Sequence, residues 1–213
     1  MRVFVKDYMS PSPITITNQT PVFEALSIMR KRKIHQLPVL NSRGKLTGLI
    51  TELELLTVSP SPASTLSIYE MNYLLSKMTV KDVLTKEPVI VEPSCTIEEA
   101  ALKMREHSIR CLLVVENDEL KGIITQTDVF DALIRTFGLH KAGVRMVLEM
   151  DDKVGALADV LNIVREHGLN VLGVACRDKD DSSVQVMLRL RAANVDELEK
   201  SLNKNGIRVI YVS

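Results

Sequence analysis

The sequence predicts an α+β protein in which a repeated αβ unit is followed by a smaller βαββαβ unit. The segment VKDYMSPSPITI from Val5 matches VKDVLTKEPVIV from Val80, 75 residues later, and an apolar helix pattern recurs at the same offset. The order of predicted strands and helices then changes after Gly138. We therefore expect repeats at 1–58 and 80–138, a linker at 59–79, a hinge at 139–143 and the last unit at 144–213.

Each repeat opens with an extended lead-in that enters an amphipathic helix. Four apolar positions in each copy have the i, i+3, i+4, i+7 spacing of one helix face: Val22, Ala25, Leu26 and Met29, then Ile97, Ala100, Ala101 and Met104. Thr20 and Pro21 mark the start of the first helix, and Thr96 with Glu99 has the spacing of a capping box. We interpret RKRK at 30–33 mainly as a solvated helix end, with contact to a ligand phosphate as the alternative.

A β-hairpin and a second helix complete each repeat. The runs IHQLPVL and IRCLLVV predict the first hairpin strands, and the polar turns NSRGK and ENDE predict the bends. The second turn is one residue shorter, so that Gly48 corresponds to Gly122. Between the copies, a Pro/Ser-rich stretch precedes residues 68–78, whose apolar spacing predicts a short linker helix.

The last unit has the order of a ferredoxin-like domain. VRMVLEM alternates as a strand, and DDKVGALADVLNIVREHG predicts a helix that stops at a glycine. The strands LNVLGVACR and VQVMLRLR follow, and then the helix NVDELEKSLNKNG and the strand IRVIYVS. This order, βαββαβ, is that of the split βαβ fold.

Composition disfavours several classes of protein. The 27 Lys and Arg residues balance the 27 Asp and Glu residues, so there is no basic excess to attract nucleic acid or anionic lipid. No apolar run approaches the ~18 residues that cross a bilayer, and no signal-like region forms at the amino terminus. We expect a cytoplasmic protein whose three cysteines, which lack CxxC spacing, are buried thiols: Cys95, Cys111 and Cys176.

The sequence contains no recognisable catalytic motif. The four histidines show no HExxH or paired metal spacing, and no P-loop, GxGxxG or nucleophile elbow is present. We therefore expect no enzymatic activity, no metal and no required cofactor.

The two repeats resemble CBS motifs. The hallmarks of that family are the lead-in strand, an HQLPV-like strand, here at 35–39, and a closing G-(I/L)-I-T-x-x-(D/E) corner. The last unit resembles an ACT domain, with the turn at 151–155 in the place of that family's Asp-x-Pro-Gly turn. The whole arrangement is similar to acetoin-utilization B-type proteins. The resemblance implies that the paired motifs bind an adenine nucleotide or other adenosyl ligand, such as AMP, ADP, ATP or S-adenosylmethionine.

The acidic corner that closes each repeat has two interpretations. Thr125 with Asp128, and Thr51 with Glu54, have the spacing of a helix cap and its N3 acid. The resemblance implies instead that a phosphate lies near Thr125 and that Asp128 accepts hydrogen bonds from both ribose hydroxyls. Because Glu54 is one methylene longer, we expect one good site at the second corner and a weaker, degraded site at the first.

Other positions match family positions that approach the nucleotide. Pro88, Val89 and Ile90 match the strand whose backbone reads the adenine edge, although the run also suits an ordinary strand with an exposed edge. Arg110, and His35 in the weaker site, match positions near phosphates. A plain surface residue is the more common case for each of these two.

The last unit carries a second candidate site. Five residues match the region where ACT domains hold small ligands, commonly amino acids, at a dimer interface: Asp152, Gly155, Ala156, Leu157 and Asn170. Gly155 would let a ligand approach backbone amides at the helix start. The alternative is a plain βα turn, which is favoured because Val154 stands where the family has proline.

Together these patterns predict a ligand-sensing regulatory protein. We expect a homodimer that binds a small molecule, contacts neither nucleic acid nor membrane, and acts on an unknown target protein. The alternatives are a structural dimerisation module with vestigial clefts and, less favoured, an enzyme.

Overall fold

The computed structural model describes residues 3–58, 77–180 and 182–213. The chain forms two units, Met1–Val129 and Phe130–Ser213, so the division falls inside the helix Gln126–Thr136. The linker helix expected over 68–78 lies outside the described residues, apart from its last two positions. No helix within the described ranges is both long enough and apolar enough to cross a membrane.

The two repeats have the same order of elements. The first contains β1 (Ser10–Pro11), β2 (Ile16–Thr17), α1 (Val22–Arg32), β3 (Gln36–Leu40), β4 (Leu46–Thr51) and α2 (Glu52–Thr57). The second contains β5 (Ile90–Val91), α3 (Ile97–Glu106), β6 (Cys111–Glu116), β7 (Glu119–Thr125) and α4 (Gln126–Thr136). A short 3-10 turn at Val5–Asp7 and Val80–Asp82 precedes each lead-in; the sequence analysis did not predict it.

The lead-in of each repeat pairs with the sheet of the other repeat. β1 lies antiparallel to β7, with Ser10 opposite Ile123, in a sheet of order β1-β7-β6-β5. Conversely, Thr85 forms a bridge with Leu49 at the edge of the sheet β2-β3-β4. The repeats are therefore joined by a reciprocal exchange of lead-ins.

This exchange explains the glycine in each closing strand. A Cβ at Gly122 would lie 3.0 Å from the carbonyl oxygen of Ser10, and a Cβ at Gly48 would lie 2.6 Å from that of Thr85. Only a residue without a side chain allows the crossing backbone to approach so closely.

The predicted helix faces form the core of the first unit. Val22, Ala25, Leu26 and Met29 are buried, as are Ile97, Ala100 and Met104, whereas Ala101 is half-buried. The capping box of Thr96 and Glu99 is present. Thr20 is not a helix cap, because its hydroxyl accepts a hydrogen bond from Thr17 N, and α1 begins after Pro21 without a side-chain cap.

The second unit has the predicted βαββαβ order. Its elements are β8 (Val144–Asp151), α5 (Ala156–Glu166), β9 (Asn170–Asp180), β10 (Ser183–Arg191), α6 (Asp196–Lys204) and β11 (Arg208–Val212). The strands form one antiparallel sheet of order β11-β8-β10-β9. Its core combines alternate residues of β8 and β10, such as Leu148 and Leu188, with helix residues such as Val160 and Leu202.

The expectation of three buried thiols was wrong for two of them. Cys111 on β6 is buried, Cys95 is half-buried and Cys176 is exposed. Burial, with a smaller contribution from Glu54, raises the pKa of Cys111 to about 11. Cys176 is exposed because β9 is the edge strand of its sheet.

Candidate functional site

The second acidic corner forms a helix cap. The backbone N–H and the hydroxyl of Thr125 both donate to Asp128 Oδ2, at 2.7 Å each. Asp128 N–H donates back to the Thr125 hydroxyl at 3.4 Å. The cap uses one carboxylate oxygen only, and Oδ1 has no hydrogen-bond partner among the residues that the structure describes.

The first corner has the same cap, but both of its carboxylate oxygens are bonded. Thr51 N–H and its hydroxyl donate to Glu54 Oε2, at 2.7 Å each. The hydroxyl of Thr85 donates to Oε1. Thr85 is held there because its backbone exchanges hydrogen bonds with Leu49, at 2.9 and 3.0 Å. The additional methylene of Glu54 thus brings its free oxygen to the crossing lead-in.

A cleft of about 720 Å³ lies beside the second corner. It is lined by residues 10–14, 33–36 and 125–127, with Arg110 and Ile123. These segments are the first lead-in, the junction of α1 with β3, and the end of β7. The cleft therefore combines both repeats, and its volume falls in the range of about 300–1,000 Å³ that is usual for ligand pockets.

The lining of this cleft is basic. Lys33, His35 and Arg110 contribute to it, and no lining residue is acidic. His35 Nδ1 lies 2.6 Å from Glu52 Oε2, so this imidazole is held at the start of α2. Lys33 has a left-handed backbone with φ of 55° as the C-cap of α1, which ends the RKRK segment at the cleft.

The structure groups the predicted residues differently from the sequence analysis. Thr125 and Arg110 line the cleft, and Asp128 is bonded to Thr125, but Pro88, Val89 and Ile90 do not line it. Those three residues follow Thr85, which pairs with the first repeat, and Ile90 pairs with Leu113. His35, which the sequence analysis assigned to the weaker site, lines this cleft, whereas Thr51 and Glu54 do not.

Pro13, Ile14 and Gln36 line the cleft and were missed, whereas Lys33 belongs to the RKRK segment, for which phosphate contact was the alternative interpretation. The alignment of Pro13 with Pro88 carried a signal for the first two, because the same lead-in motif occurs in both copies. The motif does not specify which lead-in lies beside which acidic corner.

Within one chain, Asn170 lies away from the other candidate residues of the last unit. Gly155 is the N-cap of α5, with φ of 91°, and Ala156 lines a cleft of about 410 Å³. Asn170 pairs with Arg191, whereas Asp151, next to Asp152, pairs with Ser183 at the opposite end of β10. Helix α5 returns the chain to the other end of the sheet, so Asn170 lies away from this turn within one chain, and a joint site at a dimer interface stays a prediction.

The cleft beside Ala156 is mainly acidic. Asp151, Asp159 and Glu166 line it, with Lys153 as a basic group. Among the residues that the structure describes, no group of three or more His, Cys, Asp or Glu side chains could hold a metal ion.

Three solved structures similar to this chain are CBS proteins. The AcuB protein of Vibrio cholerae is 26% identical with a TM-score of 0.54, over 66% of this chain and 96% of that one. CBSX2 of Arabidopsis thaliana, solved in complex with AMP, is 28% identical with a TM-score of 0.53, over 65% and 99%. The CBS pair of MJ0100, solved with 5-methylthioadenosine and S-adenosyl-L-methionine, is 25% identical with a TM-score of 0.51, over 62% and 99%.

Similarity to an enzyme is partial. Inosine-5'-monophosphate dehydrogenase of Aquifex aeolicus is 32% identical over 120 residues, which are 55% of this chain and 22% of the enzyme.

The family models agree with the two units. The CBS domain model matches residues 5–61 and 80–135, and the ACT domain model matches residues 144–206. The chain belongs to the CBS domain family, as a CBS pair followed by a C-terminal ACT domain.

Proposed function

We propose that this chain is a regulatory protein whose CBS pair binds one adenosyl ligand in the cleft beside Asp128. The observation that carries the proposal is the difference between the corners. Asp128 has a carboxylate oxygen without a partner among the described residues, and Thr125, to which Asp128 is bonded, lines a cleft of about 720 Å³. Glu54, at the first corner, has both oxygens bonded. Relatives solved with AMP, and with 5-methylthioadenosine and S-adenosyl-L-methionine, support the class of ligand.

In this proposal the ribose binds at the second corner. The ribose hydroxyls donate to Asp128 Oδ1, because Oδ2 is occupied by the cap. The adenine lies against Ile14 and Ile123, on the lead-in and the strand with which it pairs. The Thr51 and Glu54 corner, proposed as the weaker second site, is expected to stay empty at ligand concentrations that fill the first.

The charge of the cleft favours a phosphorylated ligand. Lys33, His35 and Arg110 are the ionisable lining residues, and all three are basic. A phosphate group gains charge-assisted hydrogen bonds from such donors, whereas a sulfonium cation is repelled by them. We therefore propose AMP or another adenine nucleotide, in preference to S-adenosylmethionine.

Calorimetric titration of the full chain with AMP, adenosine and S-adenosylmethionine tests this proposal. We expect one AMP per chain, with AMP at least about tenfold tighter than adenosine, since one hydrogen bond to a charged group contributes roughly 1.5–3 kcal/mol. Arg110→Gln should remove this preference and leave adenosine binding unchanged. Arg105→Gln is the matched control, because Arg105 is exposed on α3 and does not line the cleft.

Two results would contradict the proposal. Two AMP sites of equal affinity would show that the first corner is not degraded. The absence of saturable heat with any of the three ligands would favour the alternative, a structural module with vestigial clefts.

For the ACT domain, we propose that any amino-acid ligand binds through its ammonium group. The three carboxylates that line the cleft beside Ala156 suit a cation, and Lys153 suits the carboxylate of the same ligand. Asp159→Asn should weaken such binding. A wild-type chain that gives no heat with any common amino acid would leave the ACT domain as a dimerisation element.

We propose a homodimer that transmits ligand binding to a target protein through a change in the relative stability of two conformations. From the similarity to AcuB of Vibrio cholerae, we propose that this target belongs to acetoin utilization.

A further inference from the structure

The ACT sheet has one face packed on helices and another face on which side chains remain partly exposed. Met146 and Leu148 of β8 are buried in the core with α5 and α6. The alternate residues Arg145, Val147 and Glu149 point the other way and are only half-buried. We call this second side the outer face of the ACT sheet.

The strand register places four apolar side chains in a row across the outer face. Val147 of β8 lies opposite Met187 of β10, which lies opposite Ala175 of β9, and Tyr211 of β11 lies opposite Val147. Paired residues in a sheet share a face, so these four residues form one continuous apolar row. The row crosses four strands, a span of about 14 Å at the usual strand spacing.

Arginines lie on both sides of this apolar row. On one side, Arg145 lies opposite Arg189; on the other, Arg177 lies opposite Gln185 and Gln185 opposite Glu149. The Glu149 carboxylate is bonded to Lys179 at 3.0 Å and to Arg208.

Three of these guanidinium groups, those of Arg145, Arg177 and Arg189, have no carboxylate partner among the described residues; that of Arg189 donates to the carbonyl oxygen of Lys141. The Arg145 guanidinium lies over the ring of Tyr211, with Cζ 5.6 Å from the ring centroid. Arg177 donates to the side-chain oxygen of Gln185 at 2.6 Å, and Gln185 donates to Glu149 at 3.2 Å. The side chains of Arg145 and Arg177 are therefore oriented by neutral groups, and most of their N–H donors remain available.

We propose that the outer face binds a medium-chain carboxylate, with its chain along the apolar row and its carboxylate at Arg145 or Arg177. Between these two arginines lies a cleft of about 330 Å³, whose lining includes Val147, Ala175 and Met187. Arginine suits a carboxylate because its planar fork can donate two parallel hydrogen bonds. The cleft beside Ala156 does not suit this anion, because three carboxylates line it.

Charge disfavours a second copy of the chain on this face. Six cations lie on the outer face, namely Arg145, Arg177, Lys179, Arg189, Arg191 and Arg208, against the three carboxylates of Glu149, Asp151 and Asp180. Two such faces would repel each other. The same excess of positive charge attracts an anionic ligand.

The test is a methyl NMR titration of the full chain. Methionine is labelled with ¹³C at its methyl group, and the Met187 signal is assigned from its loss in Met187→Leu. Octanoate should shift the Met187 signal saturably. Acetate has the carboxylate without the alkyl chain, and octyltrimethylammonium has the alkyl chain with a positive charge. Neither compound should shift the Met187 signal saturably.

The double variant Arg145→Gln, Arg177→Gln should weaken octanoate binding by about tenfold or more, as expected from the loss of a hydrogen bond to a charged group. Arg165→Gln is the matched control, because Arg165 is exposed on α5, on the other side of the sheet. It should bind like wild type. A Met187 signal that octanoate leaves in place, or equal binding by the double variant and wild type, would overturn the proposal.

Discussion

Replacing Asp128 with asparagine separates the helix cap from the proposed ribose contact. The amide oxygen can replace Oδ2, which accepts from Thr125 N–H and its hydroxyl. The amide nitrogen then replaces Oδ1, because the opposite orientation would set two N–H donors against each other. The cap is retained, so we expect the free energy of unfolding to fall by about 1 kcal/mol or less.

Ligand affinity should fall much more than stability. The amide has no charge, and the oxygen proposed to accept from the ribose is replaced by an N–H donor. A hydrogen bond to a charged group contributes roughly 1.5–3 kcal/mol, so AMP should bind roughly 10- to 150-fold more weakly. Calorimetric titration measures this loss, and melting temperatures of the same samples report the stability.

Glu54→Gln is the matched control, since it removes the same charge from the same position of the first repeat. Its amide oxygen can replace Oε2 at Thr51, and its nitrogen can donate to the hydroxyl of Thr85. We expect unchanged AMP affinity. Equal affinity in wild type and Asp128→Asn would refute the ligand role and leave only a helix cap, whereas a loss confined to Glu54→Gln would place the site at the first corner.

A longer acid at the second corner should have both carboxylate oxygens bonded within the chain, as Glu54 has at the first corner. Asp128→Glu can reach the hydroxyl of Ser10, which corresponds to Thr85, so AMP binding should weaken about tenfold although the charge is retained. In acid, a hydrogen bond from Lys179, with two other donors, lowers the pKa of Glu149 from 4.5 to about 2. Its stabilising contribution is complete above pH 4.5 and is lost as the pH falls towards 2, so Glu149→Gln should flatten this part of the stability curve in urea titrations. Sedimentation should give twice the monomer mass, and Leu53→Glu, at a side chain that is 74% exposed on α2, should favour monomer; an unaffected dimer would exclude α2 from the interface.

Local signals were sufficient for the elements and for the two corners. The apolar spacing of α1 and α3 and the alternation of β8 predicted these elements, because burial of one face requires those periods. The corners were also predictable, since the residues of a helix cap are neighbours in sequence.

The pairing of lead-ins with corners could not be predicted from these signals. The repeat pattern predicted that Pro88 to Ile90 lie beside Thr125, whereas the cleft beside Thr125 contains Pro13 and Ile14. The two lead-ins have nearly the same residue pattern, so each of them could pair with the edge of either sheet. Only the reciprocal exchange of strands, with Gly48 and Gly122 at the crossings, decides which lead-in meets which corner.

The sequence by itself determined the repeat, the βαββαβ tail and the cap at each acidic corner, because each depends on residues a few positions apart or on an internal duplication. The tertiary structure decided which carboxylate keeps an unpaired oxygen, because Thr85, whose hydroxyl donates to Glu54, comes from the other repeat. It also separated Asn170 from the turn at Asp152 and aligned Tyr211, Val147, Met187 and Ala175 across four strands. These outcomes depend on strand register and strand exchange between distant segments, which no local spacing specifies.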